Sequence, residues 1–320
     1  GRLTAQALDN TGKTVIASRD LSINTGELAN QRGTLSAQSA AQLTATNLDN
    51  QNQGRILSAG SLGINAAQLL NSQGGLVTSS GNLTAGIGQL INRSGELSSQ
   101  TQVTLQLASL DNVAGLVSAG QSLSLNTIGL INNQSGRITA RQAAQVNAGA
   151  LDNSVSGRIS STTGLALDLH HGRLDNRSGV LNTNGQLTLN NLNEVDDRQG
   201  EISSTQAFTL AANRLDNGAG KVLSEQGLTL RIARALDNTQ GLVSAKTLDI
   251  HAATLGNQGG TVSAGEALVL QVEGALDNGS GKLLARDSSV VAGSLDNRLG
   301  LLQGDTRLNL ASRDAIDNRQ

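Results

Sequence analysis

The sequence is missing several residue types that most proteins of its length contain. Its 320 residues include no cysteine, proline, methionine, tryptophan or tyrosine, and Phe208 is the only aromatic residue. The lack of cysteine excludes a disulfide framework and a metal site built on thiolates. The lack of aromatic side chains argues against a globular enzyme, because such an enzyme normally uses them to fill its core. A narrow interior of Leu, Ile, Val and Ala does not need them.

An excess of charge of one sign is also missing, and so are long apolar runs. The chain has 23 Lys and Arg against 25 Asp and Glu, which gives a net charge of −2. This balance argues against a nucleic-acid partner, because binding to phosphates calls for a basic stripe. No run is apolar over the roughly 18 residues that a transmembrane helix needs.

One short motif is repeated along the whole chain. A Leu-Asp-Asn triplet, or a close variant of it, returns about every 20 residues, and a Gly follows soon after nearly every copy. The triplets end at Asn10, Asn30, Asn50, Asn71, Asn92, Asn112, Asn132, Asn153, Asn176, Asp197, Asn217, Asn238, Asn257, Asn278, Asn297 and Asn318. A fixed period of this size is typical of a solenoid, in which one unit is stacked many times.

Each repeat has the pattern of short strands. The copy that begins at Leu110 continues with Leu116-Val117-Ser118-Ala119 and then Leu123-Ser124-Leu125, so apolar and polar residues alternate. Alternation with period 2 predicts half-buried strands. We therefore predict an all-β fold: a parallel β-helix of about 15 coils that runs through residues 1–320 as a single continuous element. A leucine-rich repeat is the main rival, but it needs a longer consensus with a helical return segment.

Each position of the triplet is assigned a separate role. We expect Leu to point into the interior, Asp to lie on a solvated charged face, and Asn to stabilise a turn and to stack into an amide ladder. The following Gly is expected to adopt a positive φ at the corner. The predicted ladder residues are Asn10, Asn50, Asn112, Asn153, Asn176, Asn217, Asn238, Asn278 and Asn297.

The repeat unit resembles the haemagglutinin repeat of filamentous-haemagglutinin-like exoproteins. The resemblance rests on Leu-Asp-Asn-x-x-Gly followed by alternating apolar residues, and it covers nearly all of the chain. Clear copies run from Leu110 to Gly115 with Leu123 and Leu125, from Leu236 to Gly241 with Leu248 and Ile250, and from Leu276 to Gly281.

That resemblance implies a right-handed β-helix and a specific biology. Members of the group leave Gram-negative bacteria by two-partner secretion, through a dedicated outer-membrane transporter, and form filaments at the cell surface. The filament carries adhesive regions that bind a target-cell receptor or glycan, and contact-dependent growth inhibition exoproteins add a C-terminal toxin. By this resemblance the chain is expected to be an internal part of a longer secreted exoprotein that serves as a stalk. No catalytic residue, cofactor or metal site is predicted.

Two irregular segments, residues 160–173 and 194–198, are candidates for contact with a partner. Leu167-Asp168-Leu169-His170 and Leu248-Asp249-Ile250-His251 are interpreted as equivalent positions four coils apart, too distant to share one metal ion. The widest spacing between triplets, from Asn153 to Asn176, predicts an insertion near residues 160–164. The triplet at Val195-Asp196-Asp197 departs from the consensus and is interpreted as a drifted copy.

These segments give the partner-contact prediction, which comprises Asp168, His170, His171, Arg173, Glu194 and Asp196. Three functions follow from the sequence. The first is a structural stalk, and the second is a binding module that uses this patch. The third, a carbohydrate-active β-helix enzyme, is disfavoured because such enzymes use long loops and aromatic platforms.

Overall fold

The chain folds into stacked parallel β-strands. A computed structural model describes residues 1–319, and all of the regular structure in that range is strand. The strands form a β-solenoid of about 16 turns, with a repeat of about 20 residues. The predicted all-β parallel β-helix is thus confirmed. Residues 1–319 contain no helix that is long and apolar enough to span a membrane.

Residue contacts group the chain into two compact units. Unit 1 comprises Gly1–Asn153 and Gly157–Thr162, and unit 2 comprises Ser154–Ser156 and residues 163–319. Each unit is a stack of coils, and most coils of unit 1 contain one strand of four residues and one of nine. That the two units form a single continuous element stays a prediction.

Eighteen strands belong to unit 1. They are β1 (Arg2–Asp9), β2 (Thr14–Ala17), β3 (Leu21–Ala29), β4 (Thr34–Ala37), β5 (Ala41–Asp49), β6 (Arg55–Ser58), β7 (Leu62–Leu70), β8 (Leu76–Ser79), β9 (Leu83–Ile91), β10 (Glu96–Ser99), β11 (Val103–Asp111), β12 (Leu116–Ala119), β13 (Leu123–Thr127), β14 (Leu130–Asn132), β15 (Arg137–Ala140), β16 (Ala143–Asn147), β17 (Ala150–Asp152) and β18 (Arg158–Ser161).

The remaining strands belong to unit 2, where several run through a corner without a break. They are β19 (Gly164–Asp175), β20 (Val180–Thr183), β21 (Gln186–Asp196), β22 (Glu201–Ser204), β23 (Phe208–Ala212), β24 (Arg214–Asp216), β25 (Lys221–Ser224), β26 (Gly227–Asp237), β27 (Leu242–Gly256), β28 (Thr261–Asp277), β29 (Lys282–Asp296), β30 (Leu301–Ser312) and β31 (Ile316–Asp317).

Successive coils of unit 1 pair in register, so each column of the repeat meets itself, whereas several pairings of unit 2 contain register shifts at the corners. In unit 1, Leu97 of β10 lies between Val77 of β8 and Val117 of β12. Parallel strands lie about 4.8 Å apart, so these side chains pack directly on one another. All three are fully buried. Burial of one such side chain stabilises the fold by roughly 1.5–3 kcal/mol, which is repeated at every inward column of every coil.

The glycine of the repeat has a different role from the one predicted. Its φ is not positive in most coils; the residue before it has the positive φ, as Arg32 does at 55° and Ser94 at 52°. A Cβ atom on Gly95 would lie 1.8 Å from the carbonyl oxygen of Asn71 and 2.7 Å from Oδ1 of Asn92. The column requires glycine because the preceding coil approaches too closely for any side chain. The prediction of positive φ was wrong, since it considered the turn without its neighbour.

Replacement of Gly95 by alanine tests this steric account. The Gly95→Ala variant must displace the coil, so we expect a loss of about 1–3 kcal/mol in the free energy of unfolding, the usual cost of overpacking. Denaturant unfolding of the two proteins measures the loss. Gly86→Ala is the matched control, because the nearest atom to its Cβ is 3.9 Å away. Equal destabilisation by both variants would contradict the steric role.

Candidate functional site

The buried asparagines of unit 1 form an unbroken side-chain ladder. In each rung, the Nδ2 atom donates to the Oδ1 atom of the asparagine in the next coil, at 2.7–2.8 Å. The rungs join Asn10, Asn30, Asn50, Asn71, Asn92, Asn112, Asn133 and Asn153 in that order. Since an amide carries both a donor and an acceptor, identical side chains satisfy one another along the stack.

Each ladder amide also closes the turn that follows it. Asn112 Nδ2 donates to the carbonyl oxygen of Gly115 at 3.2 Å and to that of Arg137, in the next coil, at 3.3 Å. The backbone N–H of Gly115 returns to the carbonyl oxygen of Asn112 at 3.0 Å. One side chain therefore connects its own turn, the next turn and the next rung.

One member of the unit 1 ladder differs from the sequence alignment. The triplet assigned to Leu130-Ile131-Asn132 is shifted by one residue, because Ile131 pairs with Leu110 and Asn132 pairs with Asp111. Asn133 is fully buried and occupies the rung. Two consecutive asparagines made the register ambiguous in the sequence.

The ladder of unit 2 contains one carboxyl group. Asn176 Nδ2 donates to Asp197 Oδ1 at 2.6 Å. A second run of amides joins Asn217, Asn238, Asn257, Asn278, Asn297 and Asn318 at 2.6–2.7 Å. Between Asp197 and Asn217 the structure shows no rung among the described residues, because Asp197 Oδ2 and Asn217 Oδ1 are buried without a hydrogen-bond partner.

The aspartate of the triplet caps the turn. Asp277 Oδ1 accepts a hydrogen bond from the backbone N–H of Gly279 at 2.9 Å, and Asp237 accepts one from Thr239 at 2.9 Å. This is the Asx-turn arrangement. Most of these aspartates are only partly exposed, and Asp175 and Asp196 are buried. The predicted solvated face is thus only partly exposed, and it is closed at Asp175 and Asp196, because these carboxylates also bond to the backbone and to arginines.

Three consecutive carboxylates of unit 2 are interleaved with arginines. Arg177 Nη2 lies 2.7 Å from Asp175 Oδ2, and Arg198 Nη2 lies 2.8 Å from Asp196 Oδ2. Arg173 Nη2 reaches Asp196 Oδ2 at 3.1 Å. Arg198 Nε also approaches Asp216 Oδ2 at 3.5 Å, which extends the network to a third coil. Burial raises the pKa of Asp196, but the hydrogen bonds and charge of Arg198 outweigh it, so that pKa is lowered overall.

The insertion lies at the two adjacent histidines. Strand β18 pairs with β15 without a register shift through Ser160 and Ser161, and β19 pairs with β21 without one from Gly164 to Asp168. In β19 the register shifts between Asp168 and Gly172, and His170 and His171 have φ of 50° and 67°. The predicted position of the insertion was wrong, because strand pairing rather than spacing decides where extra residues bulge out.

The bulge places both histidine side chains on the surface around Asp168. Asp168 Oδ1 accepts from the backbone N–H of His170 at 2.9 Å, and Asn191 Nδ2 donates to Asp168 Oδ2 at 2.9 Å. Burial raises the pKa of Asp168, but these hydrogen bonds and the two imidazoles lower it overall. His170 and His171 are exposed.

The two Leu-Asp-x-His motifs are not equivalent. Leu165 pairs with Leu187 as the first inward residue of its strand, and Leu248 pairs with Leu228 in that same role. The first motif, which begins at Leu167, is therefore displaced by two residues relative to the second. In the second motif, His251 Nε2 lies 3.1 Å from Asp249 Oδ1, and Asp249 also forms an ion pair with Arg231.

The predicted contact residues separate into three places. Asp168, His170 and His171 form the bulge; Arg173 and Asp196 belong to the arginine–aspartate network; and Glu194 is exposed and pairs in register with Arg214. No group of three or more His, Asp or Glu side chains suited to a metal ion occurs in residues 1–319. Shallow surface grooves run beside Phe208 and beside His251.

A family model for the haemagglutinin repeat matches the chain over residues 1–106, 57–125, 78–170, 148–231 and 215–320. These overlapping matches cover the whole sequence. The chain belongs to the haemagglutinin repeat family. The family resemblance inferred from the triplet and its glycine is thus confirmed. Searches of curated proteins and of solved structures found no match.

Loss of one ladder amide should loosen the coils on both sides of it. In Asn112→Leu, the turn loses its side-chain hydrogen bonds and the donor of Asn92 loses its acceptor. Unsatisfied buried groups cost about 1–3 kcal/mol each. We expect backbone hydrogen exchange to quicken around residues 112–137, as measured residue by residue. The control is Asn65→Leu, which changes an exposed asparagine; equal effects of the two variants would refute the ladder.

The arginine–aspartate network predicts a loss of local stability in acid. Because the pKa of Asp196 is lowered in the folded state, its contribution is present above the unfolded value of about 3.9 and is lost as the pH falls further. Hydrogen-exchange protection around residues 196–216 should therefore weaken below about pH 4.

Asp196→Asn should remove that part of the acid dependence. Glu194→Gln is the matched control, because Glu194 is an exposed carboxylate two residues away. If Asp196→Asn and the unsubstituted chain lost protection in parallel as the pH fell, the network would not be its source.

Proposed function

We propose that this chain is the stalk of a secreted cell-surface filament, which holds an adhesive or toxin-delivering region at a distance from the producing cell. The observation that carries the proposal is the match to the haemagglutinin repeat along the whole sequence. Proteins with this repeat are typically secreted or cell-surface filaments. In-register coils and a buried ladder provide what a stalk requires, namely a fixed rise for every repeat.

The mechanism of such a stalk is mechanical. Each coil adds about 4.8 Å along the axis, so reach is set by the number of repeats. Backbone hydrogen bonds and ladder amides both run along that axis, as at Asn92 and Asn112. Tension along the stack is therefore borne by many parallel bonds at every coil.

The route to the surface is part of the proposal. We infer export by two-partner secretion through an outer-membrane transporter, in which the chain passes unfolded and folds outside. A chain without cysteine forms no disulfide that could block threading. In a solenoid each coil contacts only its neighbours, so folding can proceed coil by coil as the chain emerges.

A second candidate function is direct contact with a target-cell receptor or glycan. The observation that favours it is the bulge, where the register of β19 shifts and the exposed side chains of His170 and His171 lie on the surface. Arg173, two residues after His171, is exposed, and so is Glu194 on the paired strand β21. We propose no catalytic role.

Binding of the purified 320-residue chain to candidate target cells separates the two candidates. A stalk should not bind saturably, whereas the longer exoprotein that contains it should. Triple substitution of His170, His171 and Arg173 by alanine is the matched variant. If the chain bound saturably and the variant did not, a stalk could not be the chain's sole function.

Deletions in the exoprotein test the stalk directly. Removal of residues 239–278 joins Asn238 to Gly279 and keeps the repeat in phase, whereas removal of residues 239–268 does not. The first deletion should preserve surface display and adhesion or toxin delivery, with a reach shorter by about 10 Å. The second should disrupt display. Equal activity of the two would contradict the requirement for stacked coils.

A further inference from the structure

The break in the ladder of unit 2 leaves two buried side-chain oxygen atoms without a hydrogen-bond partner. Asp197 occupies the rung between Asn176 and Asn217 and is fully buried. Its Oδ1 atom accepts from Asn176 Nδ2 at 2.6 Å, as an asparagine at this rung would. Its Oδ2 atom takes the place of the amide nitrogen, and neither Oδ2 nor Asn217 Oδ1 has a hydrogen-bond partner in the described part of the chain.

Intact rungs show what Oδ2 must face. Asn238 Nδ2 donates to Asn257 Oδ1 at 2.6 Å, to the carbonyl oxygen of Gly241 at 3.3 Å and to that of Thr261 at 3.2 Å. At Asp197, the corresponding acceptors are Asn217 Oδ1 and the carbonyl oxygens of Gly200 and Lys221, by the pairing of Glu201 with Lys221. A carboxylate there would point a buried negative charge at acceptors only.

We propose that Asp197 is a neutral carboxylic acid that donates a hydrogen bond from Oδ2 to Asn217 Oδ1, so that this rung alone depends on a proton and opens when the proton is lost. Donor–acceptor distances in the other rungs are 2.6–2.8 Å, which also suits an O–H···O bond. At the 2.6–2.8 Å spacing of the other rungs, a calcium ion would not fit in line between the two oxygens, because it needs about 2.3–2.6 Å to each.

The surroundings favour the neutral form. Burial raises the pKa of Asp197 well above its usual value, and the charges of Glu201 and Asp196 raise it further, although the hydrogen bond from Asn176 lowers it. The two adjacent coils contribute Asn176 and Asn217 to the rung, and neither side chain titrates. The positive charge of Arg198 is engaged by Asp196, with Asp216 nearby.

Loss of the Asp197 proton at higher pH should lower the stability of its coil. The folded state holds it to higher pH than the unfolded state, whose aspartate has a pKa of about 3.9. The coil is therefore most stable below that value and loses stability as the pH rises towards the folded pKa. This is opposite to the effect of Asp196, the adjacent residue, so the two carboxyl groups serve as controls for each other.

Hydrogen exchange of the 320-residue chain, compared with Asp197→Asn, tests the proposal. The amide of Asn217 should gain its donor in this variant, so protection of the amides of residues 217–221 should match the unsubstituted chain near pH 4. Above that, the ratio of protection factors should grow by about tenfold per pH unit until the folded pKa, and then stay constant. A ratio independent of pH would overturn the proposal.

Three further measurements test the proton on Asp197. Isotope-edited infrared spectra of the unsubstituted chain at pH 5, which is above the pKa of about 3.9 of an unperturbed aspartate, should show a protonated carboxyl band that Asp197→Asn removes; a carboxylate band in its place would overturn the proposal. Asn238→Asp, which puts a carboxyl group into an intact rung, should create a second pH-dependent coil. If added calcium or a chelator changed the protection, a bound cation rather than a proton would join the two oxygens, and the proposal would be overturned.

Discussion

Hydrogen bonding between strands of successive coils, in register and at one strand spacing, is the constraint on which the rest of this structure depends. Because each column meets itself at about 4.8 Å, a residue is acceptable only if it tolerates a copy of itself above and below. Leucine does so by packing, and asparagine does so because its amide donates to one neighbour and accepts from the other. Glycine does so because nothing larger fits under the carbonyl group of the preceding coil.

Aspartate does not meet that condition by itself. The aspartates at the turn and the one in the asparagine ladder are stabilised in different ways. The aspartate column at the turn is partly exposed, so arginines such as Arg177 and Arg198 can insert between successive carboxylates. The asparagine column is closed to such partners. Asp197 therefore lies in a rung where its second oxygen has no donor among the described residues, and in our proposal a proton replaces that donor.

Features that depend on one repeat were predictable from the sequence, and features that depend on two coils were not. The period, the inward leucines and the parallel strands follow from composition and alternation. The role of Gly95 is set by the carbonyl group of Asn71, which lies in another coil, and the bulge at His170 and His171 is located by pairing between strands. The choice of Asn133 over Asn132 needed the same information, because two adjacent asparagines fit the consensus equally well.

Buried side-chain amides hold successive coils together, and this is the central claim about the molecule. Exchange of the side-chain NH₂ protons of Asn92 and Asn112, compared with those of the exposed Asn65, tests this claim most directly by nuclear magnetic resonance. Because ladder protons are released only when coils open, we expect them to exchange at least about a hundredfold more slowly than those of Asn65. Exchange of all three side chains at the same rate would show that the amides contact water, and would contradict the account.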